Sequence, residues 1–308
     1  MSPQLVDLDN DGNLDLLSGS YAPGELFLFR NRGDQTFARP KRVRDKDGAC
    51  ITVGAGTTAF AADWDDDRRP DIIVGTMSGE LFLIPNIGTR EKASFGAAMP
   101  LTSDGRAIRA GASHAAPAVA DWDGDGLPDL FVGTGQGSVL LYRGIGRDES
   151  HKLKLAPPRT LVPASTADAN LEAQGVGRAH PWGGFVRVNV ADFNGDGRAD
   201  LLVGDVNDEL IPIDGMSSEQ EKEHQAAEAE YRKAEQEYRA TVTLVTSMNL
   251  KNKSDDPNSC DFSHDPRVVG AREKMEAAQE KRLGFYSAYK RHGYVWLFQR
   301  KPASQASR

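Results

Sequence analysis

The chain has 308 residues, 39% hydrophobic and 27% charged, with a formal net charge of -8. This describes a soluble globular chain long enough for a substantial core, and it fits no disorder class. The acidic balance, with no dense Lys/Arg segment, argues against a nucleic-acid phosphate binder, and no run of about 18 apolar residues exists to span a membrane.

Taken in order, the chain opens on Met1-Ser-Pro3 and enters a strand directly, without the charged and apolar regions of a secretory signal. A start inside a first strand is what lost upstream sequence would leave. The strand leads into Asp7-Leu-Asp-Asn-Asp-Gly-Asn-Leu-Asp15, a nine-residue loop with carboxylates at positions 1, 3, 5 and 9. The pattern recurs as Asp63-Trp-Asp-Asp-Asp-Arg-Arg-Pro-Asp71, Asp121-Trp-Asp-Gly-Asp-Gly-Leu-Pro-Asp129 and Asp192-Phe-Asn-Gly-Asp-Gly-Arg-Ala-Asp200. Such crowding of acids suits a hard cation with about six to eight oxygen ligands, which offsets their mutual repulsion. Four divalent ions would bring the formal charge of -8 to zero. An EF-hand loop would close on a Glu at position 12, where this chain has Ser18, Val74, Val132 and Val203. Each loop runs instead into a short apolar strand ending at Gly19, Gly75, Gly133 or Gly204.

The loops begin at residues 7, 63, 121 and 192, a period suited to a four-stranded blade. One strand enters each loop and a second leaves it. A glycine turn starts the third, at Gly24 to Phe29, Gly79 to Ile84 and Gly137 to Tyr142, and a less regular fourth falls near Arg39 to Val43, Ala98 to Leu101 and Arg159 to Val162. Repeated meanders of this kind pack radially. Leu8, Trp64, Trp122 and Phe193 share position 2 of the loop, which marks them as packing between blades.

These loops, with glycine at position 13, resemble the FG-GAP repeat of integrin alpha-chain propellers, and the turn Asn31-Arg-Gly-Asp-Gln-Thr-Phe37 is similar to the related VCBS-type repeat. The resemblance covers roughly residues 3 to 213 and 293 to 300. It implies a calcium-stiffened β-propeller used for binding, placed outside the cytoplasm on a cell surface or secreted, with no active site belonging to the fold. Carried over by position, the implied calcium ligands are Asp7, Asp9, Asp11 and Asp15; Asp63, Asp65, Asp67 and Asp71; Asp121, Asp123, Asp125 and Asp129; and Asp192, Asn194, Asp196 and Asp200. The position-7 carbonyls would come from Asn13, Arg69, Leu127 and Arg198. Up to four calcium ions follow, the second site weakest because Arg68 replaces the glycine at position 6, the fourth weakened by Asn194.

The fourth repeat is interrupted. The strand matching Gly137 to Tyr142 appears only at Gly293 to Phe298, after a Glu/Ala/Lys/Gln-rich insertion. Two heptad seams run through it, Ala227, Tyr231, Ala234, Tyr238, Thr241 and Val245, then Val268, Ala271, Met275, Ala278, Arg282, Phe285 and Tyr289. They predict an antiparallel α-helical hairpin about 40 Å long, projecting from a β-turn of the last blade. The expected division is residues 1–214 as repeats, 215–291 as the helical insertion, 292–302 as the returning strand and 303–308 as a disordered tail.

The predicted fold is therefore mainly β, a propeller of four-stranded blades with four repeats visible and a helical hairpin inserted in the last. Cys50 and Cys260 are far apart and in unlike contexts, so free thiols are expected. Arg32-Gly33-Asp34 spells an adhesion tripeptide, but its glycine and acid are what a tight turn after Asn31 needs. His114, His180 and Trp182 precede loops, and strand-entry packing explains them better than a ligand face. The leading function is a calcium-dependent interaction module for a protein or carbohydrate ligand. In it the hairpin is a partner-docking arm, or a route to self-association, or a lid over an open edge. The alternatives are a propeller-type polysaccharide lyase, for which Arg109, Arg178, His114 and His180 are thin candidates, and a fragment of a larger ring.

Overall fold

In the computed structural model the described residues are 3–21, 24–111, 113–164, 183–249 and 265–300. Each acidic loop closes a β-hairpin, because the residue before position 1 pairs with the aspartate at position 9. The pairs are Val6 with Asp15, Ala62 with Asp71, Ala120 with Asp129 and Ala191 with Asp200. Around these hairpins the chain builds consecutive antiparallel meanders. The first sheet is β1 (Gln4–Val6), β2 (Asp15–Gly19), β3 (Leu26–Phe29) and β4 (Lys41–Arg42). The second is β5 (Thr58–Ala62), β6 (Asp71–Gly75), β7 (Leu81–Ile84) and β8 (Met99–Pro100).

Short strands β9 (Thr102–Ser103) and β10 (Arg106–Ala107) then precede the third sheet, which is β11 (Ala115–Ala120), β12 (Asp129–Thr134), β13 (Val139–Tyr142) and, after an excursion, β16 (Arg159–Val162). The excursion is β14 (Gly144–Arg147) and β15 (Leu153–Leu155), which join β9 and β10 in a small extra sheet. That sheet was not expected. Its link between repeats is one parallel pairing, Leu155 with Ser103, too short to leave a periodic signal.

Alternation along each strand turns one set of side chains toward the preceding sheet and the other toward the next, and the core lies in these junctions. Leu8, Leu17 and Leu26 of the first sheet meet Ile72, Val74 and Ile84 of the second. Trp64, Ile73, Leu81 and Leu83 meet Leu130, Val132 and Tyr142. Phe131, Val139 and Leu141 meet Leu201, Val203 and the partly buried Trp296 and Phe298. Glycine at position 13 lets the backbones touch. A Cβ on Gly19, Gly75 or Gly133 would lie 2.1, 2.2 or 2.3 Å from the carbonyl oxygen of Thr57, Ala115 or Val186 on the following sheet. The shared position-2 role holds for Leu8, Trp64 and Trp122, whereas Phe193 is exposed because no described sheet follows the fourth.

The fourth sheet is β17 (Gly184–Ala191), β18 (Asp200–Pro212) and a late-returning strand. Between them stand α1 (Ser218–Asn249) and α2 (Pro266–Leu283), and the return is β19 (Tyr286–Phe298). Asp265 caps α2, accepting from the Arg267 N–H at 2.9 Å, and Pro266 occupies the first turn, where its missing N–H costs nothing. The helices run antiparallel, since Arg282 near the end of α2 pairs with Glu228 near the start of α1, and Lys281 with Glu230 at 2.7 Å.

Three expectations need correction. The returning strand starts at Tyr286 instead of 292, and Phe285 and Tyr289 leave the helical seam. The cause is a β-ribbon longer than foreseen, in which β18 and β19 pair from Leu201–Phe298 out to Pro212–Tyr286. The helices do not project. Tyr238, Val242, Val245 and Val268 bury themselves with Ala55 of the β4–β5 connection, so the pair folds back over the sheets. Val242, not Thr241, takes the buried place, while the Thr241 hydroxyl donates to the Glu237 carbonyl. Finally, Cys50 is disulfide-bonded rather than free. Sequence spacing could not show this, because the two cysteines are 210 residues apart and no periodicity relates them. Cys260, Arg178, His180, Trp182 and the tail lie outside the described residues.

Candidate metal loops and the cleft beside them

The four loops share one backbone scaffold. The position-1 carboxylate accepts the N–H groups of positions 5 and 6, from Asp11 (3.1 Å) and Gly12 (3.0 Å) to Asp7, and from Asp67 (3.1 Å) and Arg68 (2.8 Å) to Asp63. Asp121 receives Asp125 and Gly126, and Asp192 receives Asp196 and Gly197, in the same way. The position-5 carboxylate takes the next free donor, position 7, as Asp11 does from Asn13, Asp67 from Arg69, Asp125 from Leu127 and Asp196 from Arg198. Positions 4 and 6 are left-handed in every copy: φ is 56° at Asn10, 66° at Asp66 and at Arg68, and 78° and 84° at Gly124 and Gly126. Arg68 therefore sits where glycine is favoured, at a cost of about 1 kcal/mol.

This fold of the loop gathers the carboxylates. Oxygens of Asp7, Asp9 and Asp11 lie within 4.8 Å of one another, as do those of Asp63, Asp65 and Asp67, and of Asp121, Asp123 and Asp129. In the fourth loop Asn194 replaces an acid, and its amide donates to Asp196 at 3.2 Å. Burial pushes the Asp9 carboxyl up, Arg30 opposing it and Asp11, Asp15 and Asp7 adding to it. Asp9 Oδ1 is buried without a hydrogen-bond partner. An all-oxygen donor set that includes a residue with an unpartnered carboxylate oxygen fits a hard cation.

Two features escaped the sequence reading. Position 9 is a strut as well as an acid. Asp15, Asp71, Asp129 and Asp200 are buried, and each holds the exit of the third strand by accepting from Asn31 N (2.8 Å), Asn86 N (2.6 Å), Gly144 N (2.7 Å) or Arg300 N (2.8 Å). The second oxygens of Asp71, Asp129 and Asp200 take the position-2 N–H of Trp64, Trp122 and Phe193, while that of Asp15 accepts from Arg30. Burial raises Asp71 to about 7, against those hydrogen bonds, and raises Asp129 too. The other feature is an arginine in every cluster. Arg30 pairs with Asp9 and Asp15, and Arg143, at the same repeat position, pairs with Asp123. In the other two loops the position-7 side chains Arg69 and Arg198 reach back to Asp67 and Asp196. The matching positions of Arg30 and Arg143 were the available signal.

The remaining motifs resolve structurally. Gly33 has φ 80°, the Asp34 carboxylate accepts from the Thr36 N–H (3.0 Å) and hydroxyl (2.6 Å), and Arg32-Gly-Asp is a tight turn. His114 packs edge-on against Phe185 at 4.6 Å, and burial, with Arg239 and Arg187 nearby, lowers its pKa to about 4. Between α1 and the second sheet lies a cleft of about 790 Å³, lined by Met77, Glu80, Arg109, Glu235, Arg239 and Leu244 among others. In it Arg109 pairs with Glu80 and Arg239 with Glu235, each at 2.6 Å.

The chain is 28% identical over 148 residues to Cartilage acidic protein 1 of Xenopus tropicalis, a match covering 43% of this chain and 20% of that protein. It thus spans about a fifth of the length of the curated relative it matches. Among solved structures it is similar to an Agrocybe aegerita lectin described as recognising non-reducing terminal N-acetylglucosamine, with 24% identity, a TM-score of 0.39, and coverage of 66% of this chain and 46% of that one. No described helix is long and apolar enough to cross a membrane. The FG-GAP-like repeat model matches residues 7–74, 63–132 and 121–203, each match running from one acidic loop into the strand after the next, and the chain belongs to that family.

Proposed function

We propose that the chain is a calcium-stiffened, propeller-type binding module that works outside the cytoplasm. Its ligand, a protein or a carbohydrate, enters the cleft between α1 and the second sheet. The observation that carries the reading is the shared loop scaffold, in which backbone donors are spent on positions 1 and 5 so that further carboxylate oxygens converge. Calcium would be held by Asp7, Asp9 and Asp11 and their counterparts in the other loops, supplying charge that lets crowded acids stay ionised. A radial arrangement is supported by the innermost strands, since Gln4, Thr58, Pro117 and Asn189 line one cavity of about 320 Å³. The disulfide at Cys50 supports an oxidising compartment. The cleft has the volume of a small-ligand site, and its lining combines paired charges with the apolar Ala55, Met77 and Leu244. The helical pair serves as a wall of this cleft rather than as a free arm.

Calorimetric titration and melting decide it. Calcium at 100 times its dissociation constant adds about 2.7 kcal/mol per site, so the melting temperature rises with calcium and falls in chelator. The first and third loops bind tightest, the fourth less so, and the second least. Superimposed melting curves with calcium and with chelator would remove the metal from the reading.

A further inference from the structure

The arginine that pairs with each acidic loop comes from one of two places. In the first and third repeats it is the residue that follows the third strand, Arg30 after β3 and Arg143 after β13. The residue at that place in the second and fourth repeats is Pro85 or Gln299, and neither carries a charge. There the arginine stands at position 7 of the loop instead, as Arg69 and Arg198, where the first and third loops have Asn13 and Leu127. Where one place lacks the guanidinium, the other supplies it.

Each guanidinium lands on a carboxylate at position 3 or 5. Arg30 Nη1 is 2.7 Å from Asp9 Oδ2 and also pairs with Asp15. Arg143 pairs with Asp123 and stands 3.7 Å from Asp125. Arg69 pairs with Asp67, and its Nε donates to the Asn86 carbonyl at 3.0 Å. Arg198 Nη2 is 2.7 Å from Asp196 Oδ2. The loops carry three to five aspartates each, and like charges so close disfavour one another's ionised form. A guanidinium keeps its proton and presents a planar fork of donors to a carboxylate, so it lets the acids stay charged in place.

We infer that these arginines are tethered counter-ions that compete with calcium for the loops. They set how tightly each loop takes the metal, and they hold its acids together when calcium is scarce. The inference rests on the calcium reading proposed above and adds to it what tunes the affinity. A carboxylate oxygen that accepts from a guanidinium is one that a hard cation also needs. Whether the arginine stays beside the ion as a like charge or must first be displaced, it weakens binding.

Calorimetric titration with calcium chloride, together with melting in chelator, tests this on Arg143→Met, Arg198→Met and the two combined. Among the described residues these side chains form ion pairs only with their own loops, and both are partly exposed, so the core is untouched. The double variant should bind calcium about tenfold or more tightly than the parent chain, the scale of removing a like charge beside an ion, and should melt lower in chelator. Arg143→Lys, which keeps the charge, should keep the parental affinity. Arg272→Met on α2, outside the loops, makes the same change in net charge as one loop substitution and should leave affinity unaltered. The single variants carry the same comparison if the double variant does not fold. A parent chain that binds calcium, with variants that bind it no more tightly, overturns the counter-ions and leaves the metal reading intact. Binding seen only in the variants supports the counter-ions and overturns the metal reading of the parent chain. No binding in either overturns both.

Discussion

Glycine at position 13 offers a matched experiment, because the same substitution at two equivalent residues has opposite expected results. At Gly133 an added Cβ would sit 2.3 Å from Val186 O and 2.9 Å from its carbon, both backbone atoms of the neighbouring sheet. Ordinary contact requires more than 3.4 Å, so Gly133→Ala must part the third and fourth sheets by about 1 Å along a junction that contains Phe131, Val139 and Val203. Overpacking of this kind costs about 1–3 kcal/mol. At Gly204 the nearest atom is 3.9 Å away, so Gly204→Ala is free of strain and recovers about 0.5–1 kcal/mol from the lost flexibility of a strand glycine. With a urea m-value of about 3 kcal/mol/M, a cost of 2 kcal/mol moves the midpoint down by about 0.7 M, while the Gly204 variant moves slightly up. Equal midpoints for the two variants would refute the claim that this glycine exists for sheet approach.

Asp129→Ala should destabilise by about 2–4 kcal/mol even in chelator, because the N–H groups of Trp122 and Gly144 lose their acceptor; thermal melting checks it, and a loss seen only with calcium would make Asp129 purely a ligand. His114 gives a pH signature. Its pKa is lowered by burial to about 4, so below about 6.5 the unfolded chain takes a proton that the folded one refuses. Stability is therefore full above that pH and is lost as pH falls from about 6.5 to 4, by about 3 kcal/mol at most. His114→Asn, which tolerates the φ of 49°, should flatten the curve relative to the parent chain in urea titrations across that range.

Strands and loops were legible because they repeat. A single acidic nonapeptide is ambiguous, but four in register, each followed by Leu-Leu-Ser-Gly, Ile-Ile-Val-Gly or their like, fixed the hairpins, the third strands and even the weak fourth strands at Lys41, Met99 and Arg159. What broke the repeat was harder. The helices were visible in their heptads, yet their direction was not, since the contact of Val242 and Val245 with Ala55 joins residues almost 190 apart and no periodicity encodes it. Cys50 was misread for the same reason. The dual role of Asp15, Asp71, Asp129 and Asp200 was hidden because an acid that holds backbone N–H groups and one that faces a cation look alike in a sequence.

The junction cores also bear on how the molecule comes apart. A row of sheets held only by nearest-neighbour contacts unzips from its ends, where each terminal sheet has lost one neighbour. Here the fourth sheet, through its ribbon and α1, is buckled to the connection between the first two by Tyr238, Val242 and Val245 against Ala55. The fourth sheet cannot leave alone without also tearing that strap, so at this end the array behaves less like a zipper than like a belt with its clasp closed.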